Sequence, residues 1–119
     1  KNSGTKSIKD ITMAAADVGI KQNITLTDST NYALSFMAKL DGASAAFATL
    51  AAGYSSTGLT AGDSNCTLNS TTLVTTGWTR YTCTFASAAS HSGTPYIYIQ
   101  QTHSTAHTYY VDAVQLIAG

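Results

Sequence analysis

Glutamate is missing altogether from this 119-residue chain, and its six acids are all aspartates: Asp10, Asp17, Asp28, Asp41, Asp63 and Asp112. Six Lys plus Arg residues balance them, so the net charge is zero and only 10 % of residues are charged. Without a basic surplus there is no electrostatic footprint for nucleic acid or for an acidic membrane surface. Glu, Lys, Arg, Leu and Met are scarce, which removes the residues that usually build surface helices. No apolar run reaches the roughly 18 residues of a bilayer-spanning helix, so membrane insertion is not expected. Lys1 to Asp10 is polar and carries no visible signal peptide, as a processed secreted chain also would not.

What the chain holds instead is 20 Thr and 13 Ser. Threonine is β-branched and suits a pleated, half-exposed strand. A period of two recurs along the chain. Ile20, Gln22, Ile24 and Leu26 share one strand face. After the turn cluster Asp28-Ser29-Thr30-Asn31, the residues Tyr32, Leu34, Phe36, Ala38 and Leu40 alternate with Ala33, Ser35, Met37 and Lys39. Phe47 to Gly53, Trp78 to Phe85, Pro95 to Gln101 and Thr108 to Ala118 read as further strands, with Thr5 to Met13 as the opening one. Residues 41–52 are rich in alanine but lack helix caps and a charged face. No repeat or interior linker interrupts residues 1–119, which predicts one domain: an all-β, two-sheet antiparallel sandwich of eight or nine strands.

Cys66 and Cys83 flank a passage that reads as strand, turn, strand around Gly77-Trp78. If those strands pair as neighbours, the thiols come within bridging range. A disulfide closing such a loop stabilises by roughly 3 kcal/mol; the alternative is two buried thiols. Two cysteines without partner ligands at metal spacing do not make a zinc site. The disulfide reading places the chain outside the cell or on its surface.

Three passages carry a family resemblance: Gln22-Asn23-Ile24-Thr25-Leu26 followed by Asn31 to Lys39; Gly77 to Phe85; and Tyr109-Tyr110-Val111-Asp112-Ala113-Val114-Gln115-Leu116. Their order and spacing resemble the jelly-roll carbohydrate-binding modules of the family 4/9/22 type, also found in bacterial surface and phage tail proteins. The resemblance spans roughly residues 5–118 and implies a jelly roll that binds glycan. The family's opening strand, with an Asn-Gly-Asp-Phe-Glu type motif, has no counterpart at Lys1-Asn2-Ser3-Gly4. Its absence puts a sheet edge and a calcium ligand in doubt; either the domain was excised from a longer chain or something else covers the vacant edge.

Asp112 shares the parity of Val114 and Leu116, which should face the core, and an inward carboxylate needs a partner. The resemblance implies a structural calcium ion held by Asp112 together with backbone carbonyls; the alternative is an aspartate hydrogen-bonded to backbone at a sheet edge. Tyr96, Tyr98 and Gln100 alternate with Ile97 and Ile99. If the isoleucines face inward, the other three line an outer sheet face, where flat rings and an amide suit a sugar. Tyr109 and Tyr54 are weaker candidates for the same ligand. The alternative is that these tyrosines only stabilise the sheet. The resemblance also implies that Trp78 packs between the sheets.

His91, His103 and His107 fall in loop-like sequence, where the i, i+4 spacing of the last two does not make a helical metal pair. Asn23-Ile24-Thr25, Asn65-Cys66-Thr67 and Asn69-Ser70-Thr71 fit the N-glycosylation pattern. Catalysis finds little support: six scattered aspartates do not form the paired carboxylates of a glycosidase, and no nucleophile elbow is present. A lysine isopeptide crosslink from Lys6, Lys9 or Lys39 would need a buried acid beside it. Two functions remain. One is a non-catalytic binding or adhesion module for a glycan or cell-surface polysaccharide. The other is a structural subunit of a filament, tail fibre or surface layer, whose sheet is completed by neighbouring copies of itself or another chain.

Overall fold

The computed structural model describes residues 8–11, 18–41, 47–48, 50–55, 64–90, 94–101 and 108–119. Among them ten strands follow in chain order: β1 (Ile8–Ile11), β2 (Val18–Asn23), β3 (Asn31–Leu40), β4 (Phe47–Ala48), β5 (Leu50–Ser55), β6 (Ser64–Cys66), β7 (Thr72–Leu73), β8 (Thr79–Ala86), β9 (Tyr96–Gln101) and β10 (Thr108–Ala118). Eight of them make two four-stranded antiparallel sheets. Sheet I has the order β1-β10-β3-β8 and sheet II the order β2-β9-β5-β6, while β4 and β7 form a separate small pair. The chain passes repeatedly from one sheet to the other, which is jelly-roll connectivity. The all-β sandwich is the fold expected from the alternation.

The core follows from the period of two. Leu34, Phe36 and Ala38 on β3 are fully buried, with Tyr81 and Cys83 beside them on β8 and Tyr109 and Val111 on β10. Sheet II answers with Leu50, Ala52 and Tyr54 on β5 and Ile97 and Ile99 on β9. Ring stacking joins these layers. Phe36 stacks on Tyr81 at 5.4 Å, and Phe85 lies between Tyr32 at 5.7 Å and Tyr54 at 4.4 Å. The Tyr54 hydroxyl donates to the Ala86 carbonyl at 3.0 Å, tying sheet II to sheet I.

Cys66 and Cys83 form the expected disulfide, with Cα atoms 5.7 Å apart. Its setting differs from the expected pair of neighbouring strands. β6 pairs with β5 in sheet II and β8 pairs with β3 in sheet I, so the bond staples one sheet to the other. On the way, Asn69 covers the free edge of β8. Its Oδ1 accepts the Thr82 N–H at 2.8 Å, its Nδ2 donates to the Arg80 carbonyl at 3.2 Å, and its backbone N–H donates to the Thr82 carbonyl at 3.1 Å. These bonds occupy edge groups otherwise open to a foreign strand.

β10 is not regular. Its register on β3 shifts between Asp112 and Gln115, and Ala113 takes a left-handed φ of 53°. An extra residue in one strand reverses the parity beyond it. Val111 and Leu116 therefore both turn toward the core, while Asp112, opposite Met37, sits on the outer face of sheet I. The inward Asp112 expected from strict alternation is thus corrected by the bulge.

Gly19 on β2 is required by close approach. A Cβ there would lie 2.1 Å from the Ile99 carbonyl oxygen and 2.5 Å from the Gln100 Cα, both backbone atoms. Gly19→Ala is expected to push β2 off β9 and cost about 1–3 kcal/mol. A lowered midpoint in urea checks this; an unchanged midpoint contradicts the packing described.

Candidate functional site

The outer face of sheet II is built by register. Tyr98 stands between Lys21 of β2 and Gly53 of β5, Tyr96 between Asn23 and Ser55, and Gln100 between Gly19 and Ala51. Because Ile97 and Ile99 belong to the core, Tyr96, Tyr98 and Gln100 form one row on the opposite face, as alternation predicts. The two rings meet edge to face at 6.3 Å, and the Lys21 ammonium lies 4.8 Å from the Tyr96 ring centre. On its β5 flank the row is bordered by Gly53 and Ser55, both buried.

The sequence missed one property of this row. Tyr96 and Tyr98 are each only 2 % exposed and Gln100 3 %. The row is therefore a covered floor, while Lys21 and Asn23 at its β2 rim are exposed. Tyr109 does not join it. It lies on β10 of sheet I, fully buried, with its hydroxyl 3.5 Å from the Ile99 carbonyl across the core. Tyr54 is likewise a core residue.

Trp78 is not between the sheets, as the resemblance implied. It is half-buried against Tyr110, edge to face at 6.5 Å, and the Lys39 ammonium lies 5.8 Å from each ring centre. Lys39 is opposite Tyr110 in register, on the outer face of sheet I. An indole can complete such a face because a cation and a second ring satisfy it as well as core contacts do. Lys39 is thus held by rings on the surface; Lys6 lies outside the described residues, and Lys9 stands opposite Tyr110 on β1.

The calcium expectation meets a poor donor set. The Asp112 carboxylate accepts the Ala113 N–H at 2.8 Å. Among the described residues no three Asp, His or Cys side chains gather as metal ligands, and Ca²⁺ takes roughly six to eight oxygens. An ion at Asp112 would therefore have to draw the rest of its shell from backbone carbonyls. Melting curves in EDTA and in millimolar calcium are expected to coincide, and a clear calcium-dependent rise in Tm would contradict this. His91, His103 and His107 lie outside the described residues. Of the glycosylation matches, Asn23 is exposed, whereas the Asn69 amide is committed to β8.

One buried ionisable group bears on pH. Burial pushes the Tyr81 hydroxyl above its ordinary value of 10.0, against a smaller lowering by the Thr79 side chain, and the hydroxyl donates to the Thr72 carbonyl. The folded state therefore holds this proton more tightly than the unfolded chain. Its contribution is complete below about pH 10 and is lost as pH rises through the folded value. Urea midpoints are expected to fall on going from about pH 9 to about pH 11, and less steeply in Tyr81→Phe. Equal slopes in the two proteins would count against this origin.

The sandwich and its connectivity place the chain in the fold class of jelly-roll carbohydrate-binding modules. It is similar to the CBM22-1 xylan-binding domain of Paenibacillus barcinonensis Xyn10C, at 16 % identity and a TM-score of 0.77 over 98 % of this chain and 74 % of that one. The CBM22-2 xylan-binding domain of the same enzyme aligns at 20 % identity and a TM-score of 0.73, over 95 % and 78 % of the two chains. A CBM4 structure aligns at 21 % identity and a TM-score of 0.63, over 83 % of this chain and 59 % of that one. No protein-family model and no curated protein matches the chain.

Proposed function

We propose that the chain is a non-catalytic carbohydrate-binding module that acts outside the cell, on a glycan or cell-surface polysaccharide. The observation that carries this reading is the Tyr96–Tyr98–Gln100 row, set between Lys21 and Asn23 on one side and Gly53 and Ser55 on the other. Rings offer an apolar surface to the C–H face of a sugar, and the short polar groups beside them bond its hydroxyls. The xylan-binding domains among the structural neighbours support a neutral polysaccharide as the first ligand to try. The inter-sheet disulfide supports an oxidising, extracytoplasmic setting.

Because the rings are covered, ligand entry requires the face to open, which lowers the association rate rather than forbidding binding. A glycan array with the wild-type chain, Tyr96→Ala and Tyr98→Ala tests the assignment. Binding to a defined glycan that is lost in both variants, with both still melting cooperatively, is the expected result. Binding that survives both substitutions moves the site elsewhere.

A second reading rests on a separate observation. Along β10, β1 reaches only from Thr108 to Val111, and residues 112–118 meet no further strand on that side among the described residues. Val114, 37 % exposed, lines a cleft of about 320 Å³ with Ile20, Ile24, Ile97, Ile99 and Leu116, and Ile117 is 60 % exposed. As a structural subunit, the chain would complete this sheet with a strand of a neighbour. Concentration-dependent assembly by light scattering, without binding to any glycan, favours that reading over the first.

A further inference from the structure

We propose that the outer face of sheet I carries a second binding site, for an acidic sugar, on the opposite side of the sandwich from the Tyr96–Tyr98 row. Trp78 is the chain's single tryptophan. The bulge and register of sheet I gather around it a set of residues that core packing does not explain. Tyr110 and Lys39 share a row with Trp78, and Met37 with Arg80 and Asp112 occupies the next. Trp78 and Tyr110 stand at 61° to one another, forming a corner with two ring surfaces.

Cations are concentrated on this face. Lys39 and Arg80 occupy neighbouring rows, and Lys9 takes the register position opposite Tyr110. Among the described side chains, Lys39 and Arg80 both stand on this face. Both are pre-positioned: the Lys39 ammonium by the two rings at 5.8 Å, and the exposed Arg80 by its Nη2 donating to the Ser35 hydroxyl at 3.3 Å. Asp112, the acid on this face among the described residues, accepts the N–H of Ala113 at 2.8 Å.

A pyranose bearing a carboxylate or sulfate matches this set. Its C–H face packs on the indole, and its anionic group receives charge-assisted hydrogen bonds from Lys39 and Arg80. A neutral sugar would gain only the ring contact, and a polyanion without rings would gain only the charge. The face therefore selects the combination. It also operates independently of the tyrosine row, so either site can fail without the other.

Trp78 supplies the readout, because intrinsic tryptophan emission reports this face alone. The wild-type chain is titrated with an oligogalacturonide, a sulfated oligosaccharide, a neutral xylo-oligosaccharide and polyglutamate. A saturable change in Trp78 emission is expected with one or both acidic sugars, and the two arms distinguish carboxylate from sulfate. Affinity is expected to fall about five-fold or more in Lys39→Gln and in Arg80→Gln, and to weaken between about 20 and about 200 mM salt. Arg80 is exposed, so its variant remains informative if Lys39→Gln does not fold. No saturable response to either acidic sugar overturns the proposal. So does an equal response to polyglutamate, or full affinity in whichever cation variants fold.

Discussion

Phe36→Ala is expected to lower the unfolding free energy by about 3–5 kcal/mol. Phe36 is fully buried at the middle of β3, with Leu34 and Ala38 on the same face and the Tyr81 ring stacked at 5.4 Å. Removing it deletes the apolar transfer term and leaves a void that paired strands on both sides cannot close by sliding. β3 is held between β10 and β8 over most of its length, so its backbone has little freedom to relax. A small domain has only about 5–15 kcal/mol of total stability. The variant should therefore show a much reduced urea midpoint or fail to accumulate folded protein. Thr84→Ala, at an exposed position of β8, is the matched control, expected within about 0.5 kcal/mol of the parent. Equal midpoints for Phe36→Ala and Thr84→Ala would contradict the core assigned to this face.

Replacing both Cys66 and Cys83 by alanine is expected to cost roughly 3 kcal/mol, on the order of 10 °C in Tm. The bond closes a segment with a sequence separation of 17, and opening it returns chain entropy to the unfolded state. Its position makes the loss uneven. β6 is a three-residue strand at the edge of sheet II, paired with β5 at Ala52, Gly53 and Tyr54. With the staple cut, β6 has the least holding it and should open first. Hydrogen exchange is expected to accelerate at Ser64 to Cys66 before it does on β3. Uniform acceleration across both sheets, or no change in Tm, would argue against a staple between them.

β3 and β9 were legible in the sequence because their two faces differ chemically. Tyr32 to Leu40 and the tyrosines and isoleucines of Tyr96 to Gln101 alternate, so the inward face of each strand follows from the period of two, although on β9 both faces are buried. β10 was legible as a strand but not as a bulged one. A left-handed bulge residue is usually announced by glycine, and here Ala113 takes that conformation, so the parity of Asp112 was misread. The disulfide partners were right and their neighbourhood wrong, since the chain between Cys66 and Cys83 crosses from sheet II to sheet I. Trp78 was misplaced for a different reason. Hydrophobicity ranks an indole as core, but its ring also satisfies a surface cation, and nothing local in the sequence reveals that Lys39 and Tyr110 arrive beside it. The Tyr96–Tyr98 row was correctly assigned to one face, but its burial depends on distant parts of the chain and leaves no trace in the strand itself.

The outer face of sheet II is the site proposed for a neutral glycan. Amide chemical-shift mapping of isotope-labelled protein tests it most directly, with a xylo-oligosaccharide or the glycan chosen by the array as ligand. The largest shifts are expected on Lys21, Asn23, Gly53, Ser55, Tyr96, Tyr98 and Gln100. Shifts confined to other surfaces, or a spectrum that no glycan perturbs, would contradict it.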